Sequence, residues 1–177
     1  MLNKDTLASL LKKPQNLAIL DTETTGLDED AQIIEISIID GNGKVLMDQL
    51  VKPTTSIPAE TSKIHGLYDK NVRNAPSFAE VAKQLEDIIN GRVLIIWNSE
   101  YDLRLIKQSA QVHNIECNLT PSAIYCAQTA YAKFNGKRLS LVNAAAKHGI
   151  DHSNAHRALA DVQTTLEILK VMTNEHV

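Results

Sequence analysis

Two acidic residues separated by one position, Asp21 and Glu23, close a short apolar run that predicts a β-strand over Leu17–Asp21. Because side chains along a strand alternate between its two faces, both carboxylates are expected on the same side. Two carboxylates so close repel each other unless protons or cations compensate their charge. Hard oxygen ligands of this kind suit Mg²⁺ or Mn²⁺. The alternative interpretation of an isolated Asp-x-Glu pair is a polar strand end that caps a turn.

A third carboxylate, Asp102, lies shortly after Val93–Trp97, an all-apolar run that predicts a strand covered on both faces. In open α/β sheets, ligand sites gather where strands end. If this strand lies beside the first one, Asp102 can reach the same cation as Asp21 and Glu23. The alternative is that Asp102 occupies the first turn of a helix and stabilises the helix dipole.

His156 and Asp161 supply a histidine and a fourth carboxylate. Residues five apart in a helix lie about 140° apart around its axis, so these two side chains cannot share one face. We therefore expect His156 on the loop entering the last helix or at its first position, leaning over a site that Asp161 reaches from within the helix. The alternative is a polar surface histidine. Four carboxylates are costly to assemble unless cations neutralise them, and two divalent ions about 3.5–4 Å apart assist phosphodiester cleavage.

The surrounding patterns predict the elements that position these residues. Three strands, with Gly41-Asn42-Gly43 as a hairpin turn, predict an antiparallel meander. Helices and strands alternate afterwards, so the expected fold class is α/β, with a mixed five-stranded sheet flanked by helices. The predicted strands are Leu17–Asp21, Gln32–Asp40, Lys44–Val51, Val93–Trp97 and Ser122–Cys126. The predicted helices span residues 4–12, 77–90, 101–113, 140–149 and 155–173.

The composition indicates one soluble domain. The chain has 177 residues, 44% hydrophobic and 22% charged, which excludes a disordered chain, a collagen repeat and a coiled coil. We expect a single domain over 1–177, with an N-terminal helix in 1–14 and a core in 15–173. The longest apolar run falls far short of the roughly 20 residues of a membrane-spanning helix. Without the pattern of a signal peptide, the expectation is a cytoplasmic protein that does not enter a membrane.

The charge is unevenly distributed. The net charge of −3 argues against a simple nucleic-acid coat protein. Residues 133–157, however, hold five bases against the single acid Asp151, a local balance of +4. Such a stretch can hold an anionic polymer, or it can be an ordinary solvated face.

In order and spacing, these residues resemble the DEDDh exonucleases, the family of the bacterial DNA polymerase III epsilon proofreading subunit. The resemblance extends from Leu17 to Leu169. A further segment typical of this group, Ile64-His65-Gly66-Leu67, lies between the first and second motifs. The three motifs are Asp21-x-Glu23-Thr24-Thr25-Gly26, Asn98-x-x-Tyr101-Asp102 and His156-x4-Asp161.

The resemblance implies a ribonuclease H-like fold and removal of mononucleotides from the 3′ end of DNA or RNA. It implies that His156 is the general base, which takes a proton from the attacking water. Histidine suits that role because it exchanges protons near neutral pH. The implied cofactors are two divalent cations, Mg²⁺ or Mn²⁺. The residues implied as their ligands are Asp21, Glu23, Asp102 and Asp161.

The resemblance also implies substrate contacts. The backbone after the first motif and a nearby apolar side chain hold the terminal nucleotide in relatives. His65 lines the same pocket, and the basic stretch ending at Arg157 guides the phosphate backbone. Ordinary packing of Leu27 and a hydrogen-bonded loop histidine at position 65 are the alternatives. The expected substrate-binding residues are Thr24, Thr25, Leu27, His65, Asn98 and Arg157.

Two positions depart from the family pattern. Trp97 stands where many relatives have histidine, and Tyr101 stands where phenylalanine is common. Neither position supplies a metal ligand, so these differences bear on substrate preference. The chain also lacks the long tail of epsilon-like subunits, which suggests a freestanding enzyme or one that binds a DNA polymerase through the domain itself.

Three functions follow as hypotheses. The first is a metal-dependent 3′→5′ exonuclease acting on single-stranded or frayed DNA. The second is an exoribonuclease that trims RNA 3′ ends, since metal ligands read phosphate and not sugar. The third is a nucleic-acid-end binding module or polymerase accessory that does not cleave.

Overall fold

A five-stranded sheet forms the centre of the protein, in a computed structural model that describes residues 2–173. Met1 and residues 174–177, the two ends of the predicted single domain, lie outside the described residues. The strands are β1 (Leu17–Thr24), β2 (Ile33–Ile39), β3 (Val45–Leu50), β4 (Val93–Ile96) and β5 (Ala123–Cys126). Their order in the sheet is β3-β2-β1-β4-β5.

The sheet is mixed, as predicted. β2 runs antiparallel to both β1 and β3, whereas β4 is parallel to β1 and β5 is parallel to β4. β1 extends beyond its predicted end at Asp21, because Glu23 still pairs with Glu35 and Thr24 with Ile33. The fold class is therefore α/β, with an antiparallel meander and two parallel strands.

Helices cover both faces of the sheet. They are α1 (Lys4–Leu11), α2 (Ala59–His65), α3 (Asp69–Val72), α4 (Phe78–Ile89), α5 (Ser99–Val112), α6 (Ala127–Asn135), α7 (Leu141–His148) and α8 (Ala158–Thr173). Three of them, α2, α3 and α6, were not predicted. In α2 the buried residues are Ser62 and His65, so no apolar periodicity marks it, and α6 follows β5 directly without a turn residue.

Alternate residues of β1 face different helical layers. Leu20 belongs to a buried cluster that includes residues of α4 and α5. Ile19 belongs to a second cluster that includes residues of α1, α6, α7 and α8. Since side chains alternate along a strand, Asp21 and Glu23 continue the row of Ile19 toward α8.

The last helix begins at Ala158, which corrects the predicted start near Ala155. His156 has a φ of +65°, in the left-handed region, so the helix cannot extend back through it. The N–H of Ala158 instead donates to the carboxylate of Glu35 at 3.0 Å. No helix within residues 2–173 has the length and apolarity needed to span a membrane.

Candidate active site

The carboxyl end of β1 carries the first two acids of the site. Asp21 and Glu23 are half-buried and lie two residues apart on the strand. The antiparallel neighbour β2 places Ser37 opposite Asp21 and Glu35 opposite Glu23. Because directly paired residues share a face, Glu35 is a third carboxylate on the α8 side.

Asp102 reaches the same edge from the other helical layer. β4 lies beside β1 in parallel, with Leu20 opposite Ile96, and α5 begins shortly after β4 ends. Asp102 lies in the first turn of α5 and is 4% exposed. The hydroxyl of Thr22 donates to its Oδ1 at 2.9 Å. The condition set by the sequence, that the two strands be neighbours, is therefore met.

Asp161 and His156 close the site from α8 and the loop before it. Asp161 is 8% exposed, in the first turn of α8. His156 is exposed on the loop, as expected, and its backbone N–H donates to Asp161 Oδ1 at 3.3 Å. Potential ligand atoms of Glu23, His156 and Asp161 all lie within 4.8 Å of one another.

The clustered acids favour protonation over charge. Burial, followed by repulsion from Asp102 and Asp161, raises the pKa of Asp21 well above its ordinary value. Burial and repulsion from Asp161 raise the pKa of Glu23 to about 8. For Asp102, burial raises the pKa to about 7, although the hydrogen bond from Thr22 opposes the change. Without a compensating cation, burial and mutual repulsion therefore oppose the charged form of each of these carboxylates.

This arrangement fits divalent cations. The four acids offer hard oxygen ligands, and their mutual repulsion is relieved when positive charge is added between them. Glu23 and Asp161, with His156 beside them, lie close enough for one ion to contact both carboxylates. The set that would hold the ions comprises Asp21, Glu23, Asp102 and Asp161.

The raised pKa values predict a stability that depends on pH and metal together. Glu23, with a folded pKa of about 8 against an ordinary 4.5, binds protons more tightly when folded. Protonated Glu23 therefore contributes fully to the free energy of unfolding below about pH 4.5, and this contribution is lost as the pH rises toward 8. In chelator, the Tm is expected to fall between pH 5 and 8. Mg²⁺ or Mn²⁺ should raise the Tm more at pH 8 than at pH 5.5.

Thermal melts with EDTA and with metal, across this pH range, check the prediction. Asp161→Asn should flatten the metal-free decline, because the repulsion acting on Glu23 is reduced. Asp87→Asn, an exposed carboxylate paired with Lys83 on α4, is the matched control and should follow the wild type. A metal-free Tm that rises toward pH 8 would contradict the electrostatic account.

Two residues near the acids were missed by the sequence reasoning. His152 donates from Nε2 to Asp161 Oδ1 at 2.6 Å, and its side chain is only 6% exposed. This contact orients the Asp161 carboxylate, but His152 lies outside the His-x4-Asp pattern. Glu35 is the second. The sequence does contain a sign of it, because Glu35 is the only acid within the isoleucine-rich strand β2.

Hydrogen bonds fix the end of the first motif, where β1 passes into the following loop. The Thr24 hydroxyl donates to the carbonyl of Gly26 at 2.8 Å and contacts the Tyr101 hydroxyl at 3.0 Å. Thr25 exchanges hydrogen bonds with Gln32 through both its backbone N–H and its hydroxyl. Leu27, by contrast, is 79% exposed, so the packing alternative does not describe it within this chain.

The remaining predicted substrate residues differ in their surroundings. His65 is buried at the end of α2, where Nδ1 accepts the N–H of Leu67 at 3.0 Å. Its buried Nε2 has no partner within residues 2–173, and burial lowers the pKa of its imidazole. Asn98 precedes α5 without a side-chain hydrogen bond to the helix end. Arg157 is bound to Glu35 through Nε and Nη2, with 2.6 Å as the shortest contact.

Comparisons with known proteins agree with this geometry. The exonuclease family RNase T matches residues 18–169. An uncharacterized exonuclease, CP81, of Escherichia phage 186 is 39% identical over 166 residues, covering 86% of each chain. DNA polymerase III subunit epsilon of Escherichia coli K12 is 33% identical over 174 residues, covering 88% of this chain and 70% of that one.

A solved structure supports the fold. The nuclease domain of 3′hExo, a DEDDh family member bound to rAMP, superposes with a TM-score of 0.76 at 18% identity. The match covers 90% of this chain and 92% of that one, which establishes a ribonuclease H-like exonuclease fold. Since the family match spans the strand, the two helices and the loop that carry all five catalytic candidates, this chain belongs to the RNase T family of exonucleases.

Proposed function

We propose that this exonuclease releases nucleoside monophosphates from the 3′ end of single-stranded or frayed DNA by metal-dependent hydrolysis. The observation that carries the proposal is the convergence of four carboxylates and His156 at the carboxyl end of β1. Glu23, His156 and Asp161 come within 4.8 Å there, although they derive from a strand, a loop and a helix. The site is accessible to a nucleic-acid end from solvent, since His156 is exposed.

The residues have separate tasks in the proposed reaction. When bound, two divalent cations supply charge stabilisation for the phosphate and acidify water. The imidazole of His156 accepts a proton from the water that attacks the terminal phosphorus. The bond between phosphorus and the 3′ oxygen of the preceding nucleotide then breaks, and that oxygen takes up a proton. The products are a nucleoside 5′-monophosphate and a shortened strand.

Two exposed apolar side chains are suited to the terminal base. Leu27 is 79% exposed after β1, and Ile64 is 56% exposed on α2. The Thr61 hydroxyl donates to the carbonyl of Thr25 at 3.3 Å, which holds α2 against the first motif. We assign Leu27 and Ile64 to the faces of the terminal base, and the unpartnered Nε2 of His65 to an oxygen of the same nucleotide.

The basic stretch contributes Arg138 to the proposed strand path in place of Arg157. The N–H of Gln128 donates to the carbonyl of Trp97 at 2.9 Å, which places the start of α6 at the carboxyl end of β4. Gln128 Oε1 accepts the Nε of Arg138 at 2.8 Å, so this exposed guanidinium is held near the same sheet edge. Since β4 lies beside β1, we assign Arg138 to the phosphate backbone of the bound strand.

Digestion of end-labelled oligonucleotides tests the function. Single-stranded DNA and RNA of one sequence, labelled at the 3′ or 5′ end, are incubated with Mg²⁺, Mn²⁺ or EDTA. A 5′-labelled DNA should give a ladder that shortens stepwise from the 3′ end, and EDTA should stop it. Release of mononucleotide from 3′-labelled DNA gives the matching product. Cleavage that starts at the 5′ end, or that persists in EDTA, would refute the proposal.

An exoribonuclease is the second candidate. The 3′hExo domain was solved with rAMP, a ribonucleotide, whereas the Escherichia coli relative is named a DNA polymerase subunit. Discrimination depends on contacts to the 2′-hydroxyl, so the faster of the two matched oligonucleotides identifies the substrate. Equal rates would justify neither label. A non-cleaving end-binding module or polymerase accessory would instead bind the DNA or RNA oligonucleotide without hydrolysing it, and EDTA would not change that binding.

A further inference from the structure

An ion pair between the buried Glu35 and the half-exposed Arg157 joins β2 to the loop that carries His156. The guanidinium of Arg157 donates to Glu35 from Nε, at 3.2 and 3.1 Å, and from Nη2, at 2.6 Å. The N–H of Ala158, the first residue of α8, donates to Oε2 of the same carboxylate at 3.0 Å. We propose that Glu35 is a positioning residue that holds His156 in place through the two residues that follow it. The inference rests on the proposed role of His156 as general base.

Glu35 lies inside the acidic cluster but is chemically separate from it. It pairs directly with Glu23 across the sheet, and its side chain is only 3% exposed. A buried carboxylate is unfavourable unless charge and hydrogen bonds compensate it. Here one cation and one backbone donor provide that compensation, and both belong to the segment immediately after His156.

These contacts occupy the Glu35 carboxylate with protein donors, since both of its oxygens accept hydrogen bonds. Among the residues that the structure describes, Glu23, His156 and Asp161 have potential ligand atoms within 4.8 Å of one another, and Glu35 is not in that group. The same contacts engage two nitrogens of Arg157.

His156 needs such an anchor because its backbone is strained. Its φ of +65° is a conformation that residues with a side chain seldom adopt. A strained residue keeps its conformation only when its surroundings fix it. On one side, the N–H of His156 donates to Asp161 at 3.3 Å. On the other side, Glu35 ties down Arg157 and Ala158, so the imidazole is placed between two fixed points.

Kinetics of four variants test the role: Glu35→Gln, Arg157→Gln, the double variant and the control Asp87→Asn. Loss of a residue that orients a catalytic group costs about 10–100-fold. We expect kcat on labelled single-stranded DNA to fall by that factor in both single variants, with KM changed less than about threefold. The double variant should be no slower than the slower single variant, since both substitutions break one contact. Asp87→Asn should match the wild type.

Limited trypsin digestion gives a readout that does not depend on activity. Cleavage after Arg157 requires the anchored segment to open, whereas cleavage after Arg138, on the loop between α6 and α7, does not. In Glu35→Gln, cleavage after Arg157 relative to Arg138 should increase about tenfold, because local opening becomes easier. Replacement of the buried Glu35 can lower the fraction of folded protein. Arg157 is 49% exposed, so Arg157→Gln should fold normally and tests the same contact by kinetics.

The outcomes separate this inference from the proposed function. An inactive wild-type protein would overturn the proposed function and the role of Glu35 with it. An active wild type with unchanged kcat in Glu35→Gln and Arg157→Gln would overturn the positioning role alone, whatever the trypsin pattern. A higher KM with unchanged kcat in Arg157→Gln would also overturn it, because that result describes a contact to the DNA backbone.

Discussion

Replacement of Asp161 by asparagine is expected to lower kcat by at least about 10³-fold, because a metal-ligand charge worth several kcal/mol in the transition state is lost. The substitution is nearly isosteric, and its Oδ1 can still accept the N–H of His156. The effect therefore isolates charge from shape. Asp161 lies beside Glu23 and His156 in the cluster suited to an ion, so the substitution removes one of the negative charges that would face that ion.

Two measurements accompany the kinetics of Asp161→Asn. Mn²⁺ binding, followed by calorimetry without DNA, should weaken, while the metal-free Tm should rise because repulsion of Glu23 and Asp21 is reduced. Asp161→Ala should abolish turnover as well, but it also removes the contact with His152. Asp87→Asn is again the control for loss of one carboxylate. Full activity of purified Asp161→Asn would exclude Asp161 as a metal ligand.

Removal of the His156 imidazole is the second large effect, a loss of roughly 10²–10⁴-fold in kcat, the usual range for a general base. Binding of the oligonucleotide should change little, since the carboxylates and the substrate loops remain. His156 is exposed, so the fold should tolerate its replacement. Single-turnover rates and KM values on labelled DNA measure the effect.

The left-handed backbone at position 156 determines which replacements are informative. Alanine at a φ of +65° is strained, whereas glycine and asparagine adopt this conformation more easily. His156→Gly and His156→Asn should lose as much kcat as His156→Ala while retaining more stability. Added imidazole should partly restore the glycine variant. A loss confined to KM in all three would assign His156 to substrate binding instead of proton transfer.

The sequence predicted part of the acidic cluster because short-range periodicity governs the directions of neighbouring side chains. Alternation along β1 puts Asp21 and Glu23 on one face, and the helical angle between His156 and Asp161 predicted the histidine on the entering loop or at the first helical position. The sheet class followed from three strands before a helix–strand alternation. The sequence predicted that Asp102 would reach Asp21 only if their two strands were neighbours. It could not show that they are, since no local pattern specifies which strands pair.

Tertiary structure decided what depends on contacts between distant residues. Glu35 and Arg157 are 122 positions apart, and only the closure of α8 against β1 and β2 makes them partners. That pairing engages the Arg157 guanidinium within the protein, and the same carboxylate accepts the N–H of Ala158, the first residue of α8. The four acids also acquire their raised pKa values only when both helical layers bury them together. By itself, then, the sequence determined which residue types could do the chemistry, because periodicity is local. Packing decided which charges meet and which are already compensated, because burial and pairing are properties of the folded chain.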